Sequence, residues 1–343
     1  MVNQNILLLG GLKMSNILLC YGTRPEWLKI KPLWELSKDS FKLLKINQHQ
    51  ELLKDLPFDY ELLYTHNCQN RLNEIITNNL SYVLEDSSFD AILVQGDTTS
   101  AFSIALSAYH HQIPIIHLEA GLRTYSKSPF PEEFNRRAIA LMADLHLCPT
   151  RDNLINLENE LIGGEKFVVG NTILDNLIGV NTIDNNLVLV TLHRFEDRPI
   201  MDRWFIELEN IAKLNPHLQF ILPLHPNPNI GKFRHLLNYV EVVEPLPHDE
   251  LLQIMAQSSF IITDSGGIQE EASFLKKRVL VCRSKTERAE TIGISSWYST
   301  PETLEKQVRL MQEDLYSIPS NYVCPYGDGT ASQEIIKIIQ RYW

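Results

Sequence analysis

The chain has 343 residues, with 31 Lys or Arg against 42 Asp or Glu, which gives a formal net charge of -11. This acidic balance excludes a general attraction to nucleic-acid backbones or anionic membranes, so neither is expected as a partner. The length exceeds what one hydrophobic core usually supports, which favours two domains.

The five cysteines are odd in number and show neither a CxxC pair nor zinc-type spacing. We therefore expect reduced thiols in a cytoplasmic protein and no metal site. No run approaches the roughly 18 apolar residues of a membrane span, and no secretory leader is predicted. A strand-like run directly follows Met14, so the predicted fold begins at that residue.

Short apolar runs of strand length alternate with longer stretches of helical periodicity. Continuous apolarity predicts strands buried on both faces, and the alternation predicts parallel sheets with helical crossovers, an α/β fold. The pattern restarts after about residue 177, which predicts domains at 14–177 and 178–325 and a terminal segment at 326–343. The predicted strands cover 16–21, 91–94, 113–118, 145–148, 167–169, 187–191, 220–222, 260–263 and 279–282.

Polar motifs follow the predicted strands of both domains. Ligands of open α/β sheets gather at the carboxyl ends of strands, where helix N-termini present unpaired N–H groups. Motifs that converge from two domains predict a ligand-binding cleft between the domains. The motifs are GTRPE at 22–26, QGDT at 95–98, EAGLR at 119–123, HR at 193–194 and DSGGIQEE at 264–271.

Two cations lie near the predicted start of the helix that follows the first strand. Arg24 and Lys29 flank Pro25, which suits a first helical turn because its missing N–H costs nothing there. The helix macrodipole favours anions at this end, so an anionic ligand explains the cations better than stability does. The alternative is that Lys29 is simply solvated.

Three carboxylates are candidates for acid–base chemistry. Asp97 and Glu119 each follow a buried-type strand, and Glu132 lies beyond a proline-containing loop. Carboxylates at adjacent strand ends shift each other's pKa, which leaves one protonated and one ionised. The alternatives are helix capping by Asp97 and an ion pair between Glu119 and Arg123.

The DSGG motif joins a strand to a helix through small residues. Ser265, Gly266 and Gly267 let the backbone approach a diphosphate closely, and Glu271, about one turn into the helix, is placed to accept two ribose hydroxyls. The alternative is an ordinary turn with a Ser or Asp cap. No GxGxxG fingerprint is present, so no nicotinamide cofactor is expected.

Taken together, these motifs resemble those of the non-hydrolysing UDP-N-acetylglucosamine 2-epimerases over about residues 21–339. The resemblance implies a glycosyltransferase-B type fold with two Rossmann-like domains, a C-terminal helix that crosses back to the first domain, a homodimer, no cofactor and a role in polysaccharide biosynthesis. Further strings in the family's order are HLEAGLR at 117–123, PEEFNR at 131–136, VGNTILD at 169–175, TLHR at 191–194, TER at 286–288 and PYGDGTAS at 325–332.

The resemblance also implies a mechanism. Such enzymes eliminate UDP across C1–C2 to give 2-acetamidoglucal, then add UDP back with C2 inverted, which interconverts UDP-N-acetylglucosamine and UDP-N-acetylmannosamine. A second UDP-sugar is implied as an activator. The matching positions are Arg24, Lys29, Asp97, Glu119, Glu132 and His193 for catalysis, Arg24, His193, Ser265, Gly266, Gly267, Glu271 and Arg288 for UDP, and Gln48, Glu51, Arg194 and His225 for the activator.

Other activities stay open at this point. A hydrolysing variant would release N-acetylmannosamine and UDP, and a related enzyme would epimerise another 2-acetamido UDP-sugar. A glycosyltransferase would have no use for carboxylates directed at C2. A binding-only sensor of nucleotide sugars would not need Asp97, Glu119 and His193.

Overall fold

In the computed structural model of the chain, the described residues are 16–63, 88–192, 201–224, 231, 233–283 and 286–343. Their contacts divide the chain into two compact units. The first runs to Val169 and includes Ser332–Trp343, and the second is Gly170–Ala331. This division falls before the boundary at 177 that the sequence pattern suggests.

The first unit contains a seven-stranded sheet in the order β3-β2-β1-β4-β5-β6-β7, in which every pairing is parallel. Its helices are α1 (Arg24–Leu36), α2 (Thr99–His110), α3 (Glu132–Met142) and α4 (Arg151–Asn159). Its strands are β1 (Ile17–Tyr21), β2 (Phe41–Ile46), β3 (Tyr60–Leu62), β4 (Ala91–Gln95), β5 (Ile115–Leu118), β6 (Leu145–Cys148) and β7 (Glu165–Val168).

The second unit contains a six-stranded parallel sheet in the order β10-β9-β8-β11-β12-β13. Its helices are α5 (Met201–Leu214), α6 (His248–Gln257), α7 (Gly266–Phe274) and α8 (Pro301–Gln312), and α9 (Ala331–Tyr342) ends the chain. Its strands are β8 (Leu187–Thr191), β9 (Gln219–Pro223), β10 (Glu241–Val243), β11 (Ser258–Thr263), β12 (Arg278–Val281) and β13 (Ser296–Tyr298).

Both sheets have the strand order of a Rossmann fold. The first strand of each unit, β1 or β8, pairs with strands on both sides, so the chain reverses its direction across the sheet there. Ligands of such folds bind at the carboxyl ends of the strands that flank this point. The predicted α/β fold of two Rossmann-like units is confirmed, and 22–26, 95–98 and 264–271 follow the flanking strands β1, β4 and β11.

The C-terminal helix completes the core of the first unit. Ile335, Ile338 and Ile339 of α9 are at most 2% exposed and belong to the same apolar cluster as Ile17 and Leu19 of β1. Burying an aliphatic side chain of this size contributes about 1.5–3 kcal/mol. The last residues of the chain therefore stabilise the sheet on which its first strand lies. Within the described ranges, no helix is long and apolar enough to cross a lipid bilayer.

Candidate active site

The turn after β1 brings Arg24 to the start of α1. Thr23 is the N-cap of this helix, its hydroxyl accepting from the Glu26 N–H at 3.5 Å, and Pro25 lies in the first turn as predicted. Arg24 is half-buried, and among the described residues it has no hydrogen-bond or ion-pair partner. A guanidinium at a helix start gains nothing from the helix dipole, so its position suits an incoming anion.

Glu119 is the carboxylate on which three elements converge. It follows β5, is 7% exposed, and its Oε2 lies 2.5 Å from Nζ of Lys29 on α1. The side-chain amide of Gln95, at the end of β4, donates to the same oxygen. Lys29 is thus a half-buried counter-charge to Glu119 and not a solvated cation. Arg123, the alternative partner from sequence, donates to Glu160 at 2.8 Å.

The backbone at Glu119 is strained, because φ is +65° at a residue that carries a side chain. A left-handed conformation costs about 1–2 kcal/mol at such a residue, and strain of this kind clusters at functional sites. Gly96 has a φ of +68°, which favours glycine, and a Cβ built there would make an ordinary contact with Oε2 of Glu119 at 3.5 Å. The turn after β4 therefore packs directly against the Glu119 carboxylate.

Asp97 is held by helix α3. Its Oδ2 accepts a hydrogen bond from Arg136 at 2.5 Å, and its carbonyl oxygen accepts from the Asn135 side chain at 2.9 Å. Thr98, and not Asp97, caps α2, because the Thr98 hydroxyl accepts from the Ala101 N–H at 3.1 Å. The capping alternative for Asp97 is therefore wrong, and its carboxylate faces a buried guanidinium.

Two adjacent glutamates at the start of α3 have different environments. Glu133 is 3% exposed and accepts hydrogen bonds from the backbone N–H groups of Thr124 at 3.0 Å and Tyr125 at 3.1 Å. It thereby closes the loop that begins after Glu119. Glu132, the predicted catalytic residue, is the first residue of the helix and is half-buried. Glu133 therefore has a structural role, and the catalytic role of Glu132 stays a prediction.

Two predicted activator contacts lie after β2. Gln48 already has a partner, since its Oε1 accepts from the N–H of Ser100 at 3.0 Å and from its hydroxyl at 2.7 Å. Glu51 is exposed in the 3-10 helix Gln50–Leu53. The other predicted activator contacts, Arg194 and His225, lie outside the described residues, as does His193, which is predicted to act in catalysis and UDP binding.

In the second unit, the start of α7 offers unpaired backbone donors. Ser265 is the N-cap residue, but its side chain makes no capping hydrogen bond, so the ordinary Ser cap weighed above is absent from this described helix. The first N–H groups of an α-helix have no intrahelical acceptor, which makes those of Gly266 and Gly267 available to an anion. The predicted strand–turn–helix geometry of the DSGG motif is confirmed.

Glu271, further along α7, has a partner that the sequence did not suggest. It is 4% exposed, and its Oε1 lies 2.6 Å from Nε2 of His248, the first residue of α6. A carboxylate acceptor requires the imidazole nitrogen to donate. The contact fixes one oxygen of the carboxylate predicted to bind ribose.

Arg288 lies beneath the start of α7. A Cβ added to Gly266 would lie 3.1 Å from the Arg288 guanidinium, so only glycine fits without a shift. Arg288 is 7% exposed and donates through Nε to Glu270 at 2.8 Å and through a terminal nitrogen to Glu287. Asn171 also donates to Glu270, at 2.8 Å. The guanidinium predicted to contact UDP is thus anchored in a buried ionic network.

These contacts separate two chemical capabilities. The first unit holds carboxylates beside Lys29 and Arg136, a set suited to moving a proton near an anionic group. The second unit presents backbone N–H groups and a buried glutamate, a set suited to a diphosphate and a ribose. No group of three or more metal-binding side chains occurs in the part of the chain that the structure describes. Fold and site together define an α/β enzyme suited to a nucleoside-diphosphate ligand.

Comparison with known proteins identifies the family. The sequence model for UDP-N-acetylglucosamine 2-epimerase matches residues 47–340. The UDP-N-acetylglucosamine 2-epimerase of Neisseria meningitidis serogroup A is 36% identical over 367 residues, covering 94% of this chain and 98% of that protein. The enzyme of the same name from Bacillus subtilis is 36% identical over 370 residues, covering 95% of each.

Solved structures agree with these relatives. The crystal structure of the N. meningitidis UDP-GlcNAc 2-epimerase bound to UDP-GlcNAc has a TM-score of 0.84 at 32% identity, covering 95% of this chain and 100% of that one. A putative UDP-N-acetylglucosamine 2-epimerase from Listeria monocytogenes has a TM-score of 0.87 at 30% identity, covering 96% of both chains. The chain belongs to the UDP-N-acetylglucosamine 2-epimerase family, whose activity is that of an isomerase.

Four contact residues were not singled out from the sequence. Gln95 and Arg136 hold Glu119 and Asp97, respectively. Glu133 closes the loop between Glu119 and α3, and His248 holds Glu271. Arg136 and Glu133 lie inside the PEEFNR string, where their spacing of three residues places both on one helix face. Nothing in the sequence near His248 indicates its partner, because the two residues lie on different helices.

Proposed function

We propose that the chain catalyses reversible inversion at C2 of UDP-N-acetylglucosamine, giving UDP-N-acetylmannosamine through elimination and re-addition of UDP. The observation that supports it most is Glu119, a buried carboxylate in strained backbone that Lys29 and Gln95 hold at the carboxyl edge of the sheet. Membership of the family and the UDP-GlcNAc-bound relative support the choice of substrate.

The reaction balances without a redox change. A carboxylate base takes the C2 proton as the C1–O bond to UDP breaks. The electron pair of the C2–H bond becomes part of the C1–C2 double bond, and the pair of the C1–O bond leaves with UDP. In the reverse addition a second acid delivers a proton to the opposite face of C2. Glu119, Asp97 and Glu132 are the described candidates for these transfers.

Charge stabilisation in this scheme falls to cations and backbone donors. Arg24 and Lys29 offset the charge that develops on the departing diphosphate, and the N–H groups of Gly266 and Gly267 bind phosphate oxygens. Glu271 accepts the ribose hydroxyls. Donors already fixed in the fold stabilise developing charge without reorganising, which is why a rigid helix start suits this task.

Proton NMR in heavy water tests the proposal. The protein is incubated with UDP-N-acetylglucosamine, and the anomeric and C2 signals are followed. We expect UDP-N-acetylmannosamine with deuterium at C2, because the abstracted proton exchanges with solvent. Turnover without label at C2 would exclude the mechanism. Release of free N-acetylmannosamine and UDP would instead assign the hydrolysing reaction.

We further propose a homodimer formed through α2 and α3. Tyr109 is 56% exposed on α2, while Phe134 and Leu141 on α3 are 63% and 75% exposed. Positions 134 and 141 are seven residues apart and so share a helix face. Phe134 packs edge-on against Phe102 of α2, which joins the two helices into one apolar surface. Leu141→Lys is expected to shift the mass measured by light scattering from dimer to monomer.

A second UDP-sugar as activator, and the cytoplasm as compartment, complete the proposal. Cooperative dependence of rate on UDP-N-acetylglucosamine would support the activator, and hyperbolic dependence would oppose it.

The compartment is supported by four described cysteines that are free thiols. Burial raises the pKa of the Cys148 thiol to about 12, which keeps it protonated and unreactive.

A further inference from the structure

Glu26, in the first turn of α1, is a buried carboxylate that the proposed mechanism does not use. It is 2% exposed, and its Oε2 accepts hydrogen bonds from the Gly22 N–H at 2.8 Å and the Thr23 hydroxyl at 2.9 Å. Its Oε1 accepts from the Thr98 hydroxyl at 2.5 Å. No Lys, Arg or His among the described residues forms an ion pair with it.

Burying a carboxylate without a cation costs several kcal/mol, and neutral donors offset only part of that. Burial accordingly raises the pKa of Glu26 to about 7 despite its hydrogen bonds to Thr98, Gly22 and Thr23. A neutral side chain would cap α1 at less cost. This cost indicates a role that requires both carboxylate oxygens of Glu26, because each oxygen accepts from a different structural element.

Those two elements are the starts of the helices that follow the paired strands β1 and β4. Thr23 is the N-cap of α1, and Thr98 is the N-cap of α2. The Thr98 hydroxyl donates to Glu26 while it accepts from the Ala101 N–H, so one hydroxyl links the carboxylate to the backbone of α2. Arg24 follows Thr23 directly, and Asp97 precedes Thr98 directly.

We propose that Glu26 is a positioning residue that couples the starts of α1 and α2 and so fixes Arg24 and Asp97 relative to each other. The inference rests on the proposed function in that Arg24 and Asp97 act on the UDP-sugar. The coupling itself is a property of the fold and is measurable apart from turnover.

Amide hydrogen exchange and steady-state kinetics on matched variants test the coupling. Thr98→Val keeps the shape of the side chain and removes the hydroxyl that reaches Glu26. Glu26→Asp shortens the carboxylate so that it cannot span both helices. Thr150→Val is the matched control: it removes an N-cap hydroxyl that accepts from the Asn153 N–H at 3.3 Å, on the more distant α4.

We expect a change at the start of either helix, α1 or α2, to loosen the backbone at the start of the other. Thr98→Val speeds exchange at Gly22, in the turn before α1, and Glu26→Asp speeds exchange at Ala101 on α2, each by about tenfold. Both lower kcat by about 10–100-fold with KM changed less than threefold, a scale typical of a misplaced catalytic group. The double variant loses no more than the worse single variant, because one linkage is broken in all three.

The controls decide between positioning and general destabilisation. Thr98→Ser restores kcat and slow exchange at Gly22, whereas Thr150→Val speeds exchange only near Asn153 and leaves kcat unchanged. Unchanged exchange at Gly22 in Thr98→Val, or additive losses in the double variant, overturns the proposal. If the wild-type chain does not turn over UDP-N-acetylglucosamine, the proposed function fails, and the exchange arm still decides on the coupling.

Discussion

The first unit places charged side chains at the carboxyl edge of its sheet. The second unit places there a helix start that no side chain of its N-cap residue caps. Lys29, Glu119, Asp97 and Arg136 are all side chains whose partners come from other elements. At α7 the groups presented are the backbone N–H groups of the first turn. The same topology thus supports two different kinds of site.

The difference lies in what each kind of group can do. Side-chain carboxylates exchange protons, and ion pairs hold them in place. Glu119, for example, pairs with Lys29 and has a strained backbone with positive φ. Backbone N–H groups do not titrate, so they hold charge without entering acid–base chemistry. In the second unit the ionic network lies beneath the helix start, where Arg288 and Glu270 support the backbone. The comparison predicts that catalysis and binding separate between the units.

The largest effect is expected from Glu119→Gln. Removal of the carboxylate should lower kcat by about 10³-fold, within the range for a lost general base, while the Kd for UDP changes less than threefold. Turnover by NMR and calorimetric titration with UDP check the two parts. Glu165→Gln, at an exposed carboxylate on β7, serves as the control. Equal loss of turnover and UDP binding would break the comparison.

Arg288→Met addresses the second unit. Without the guanidinium, Glu270 and Glu287, 1% and 9% exposed, lose a buried counter-charge. Breaking a buried pair on one side typically costs about 3–5 kcal/mol, so we expect a loss near the lower end, since Arg283 still pairs with Glu287 at 2.9 Å. Urea unfolding measures it.

Arg309→Met removes an exposed pair on α8 and should leave stability unchanged. Wild-type stability with weakened UDP binding in Arg288→Met would mean that Arg288 acts on the ligand and not on the helix start.

Glu26 gives a pH-dependent test of the first unit. Its folded-state pKa, about 7, lies above the ordinary glutamate pKa of 4.5, so the folded protein binds the proton more tightly than the unfolded chain does. The resulting stability is present at low pH and is lost as pH rises towards 7. The stability of Glu26→Gln relative to wild type should therefore rise between pH 4.5 and about 7, by up to about 3 kcal/mol, and then level off. A difference that is flat with pH would contradict the buried-carboxylate account.

The smallest effect separates binding from folding at α7. A Cβ at Gly267 would lie 4.0 Å from the Ser265 Oγ, an ordinary contact, so Gly267→Ala should not lower the melting temperature. It should raise the Kd for UDP about tenfold, because the added methyl group occupies space that a phosphate needs. Gly163→Ala, where a Cβ meets nothing within 4 Å, should change neither quantity. An unchanged Kd in Gly267→Ala would remove the helix start from the binding site.

Of the strands in the described ranges, the sequence pattern indicated nine and omitted four. Three of these, β3, β10 and β13, have three residues each and lie at sheet edges, where one side is uncovered and continuous apolarity is not required. The fourth, β2, lies inside the sheet but contains Lys42 and Lys45. Lys45 is 2% exposed because Glu61 pairs with it at 2.6 Å and the Phe58 ring lies 4.0 Å from its ammonium. The buried Lys45, paired with Glu61, therefore interrupted the apolar run by which an inner strand is recognised in the sequence.

The sequence by itself determined the two α/β units, the motifs after their strands and the resemblance that names the family. This was possible because the local order of apolar and turn-forming residues indicates where buried strands and turns lie. Tertiary structure alone decided which groups meet. Lys29 and Glu119 are 90 positions apart, and Glu26 and Thr98 are 72 apart. Parallel strands align their carboxyl ends at one edge, which brings such residues together, but only side-chain packing selects the partner of each charge.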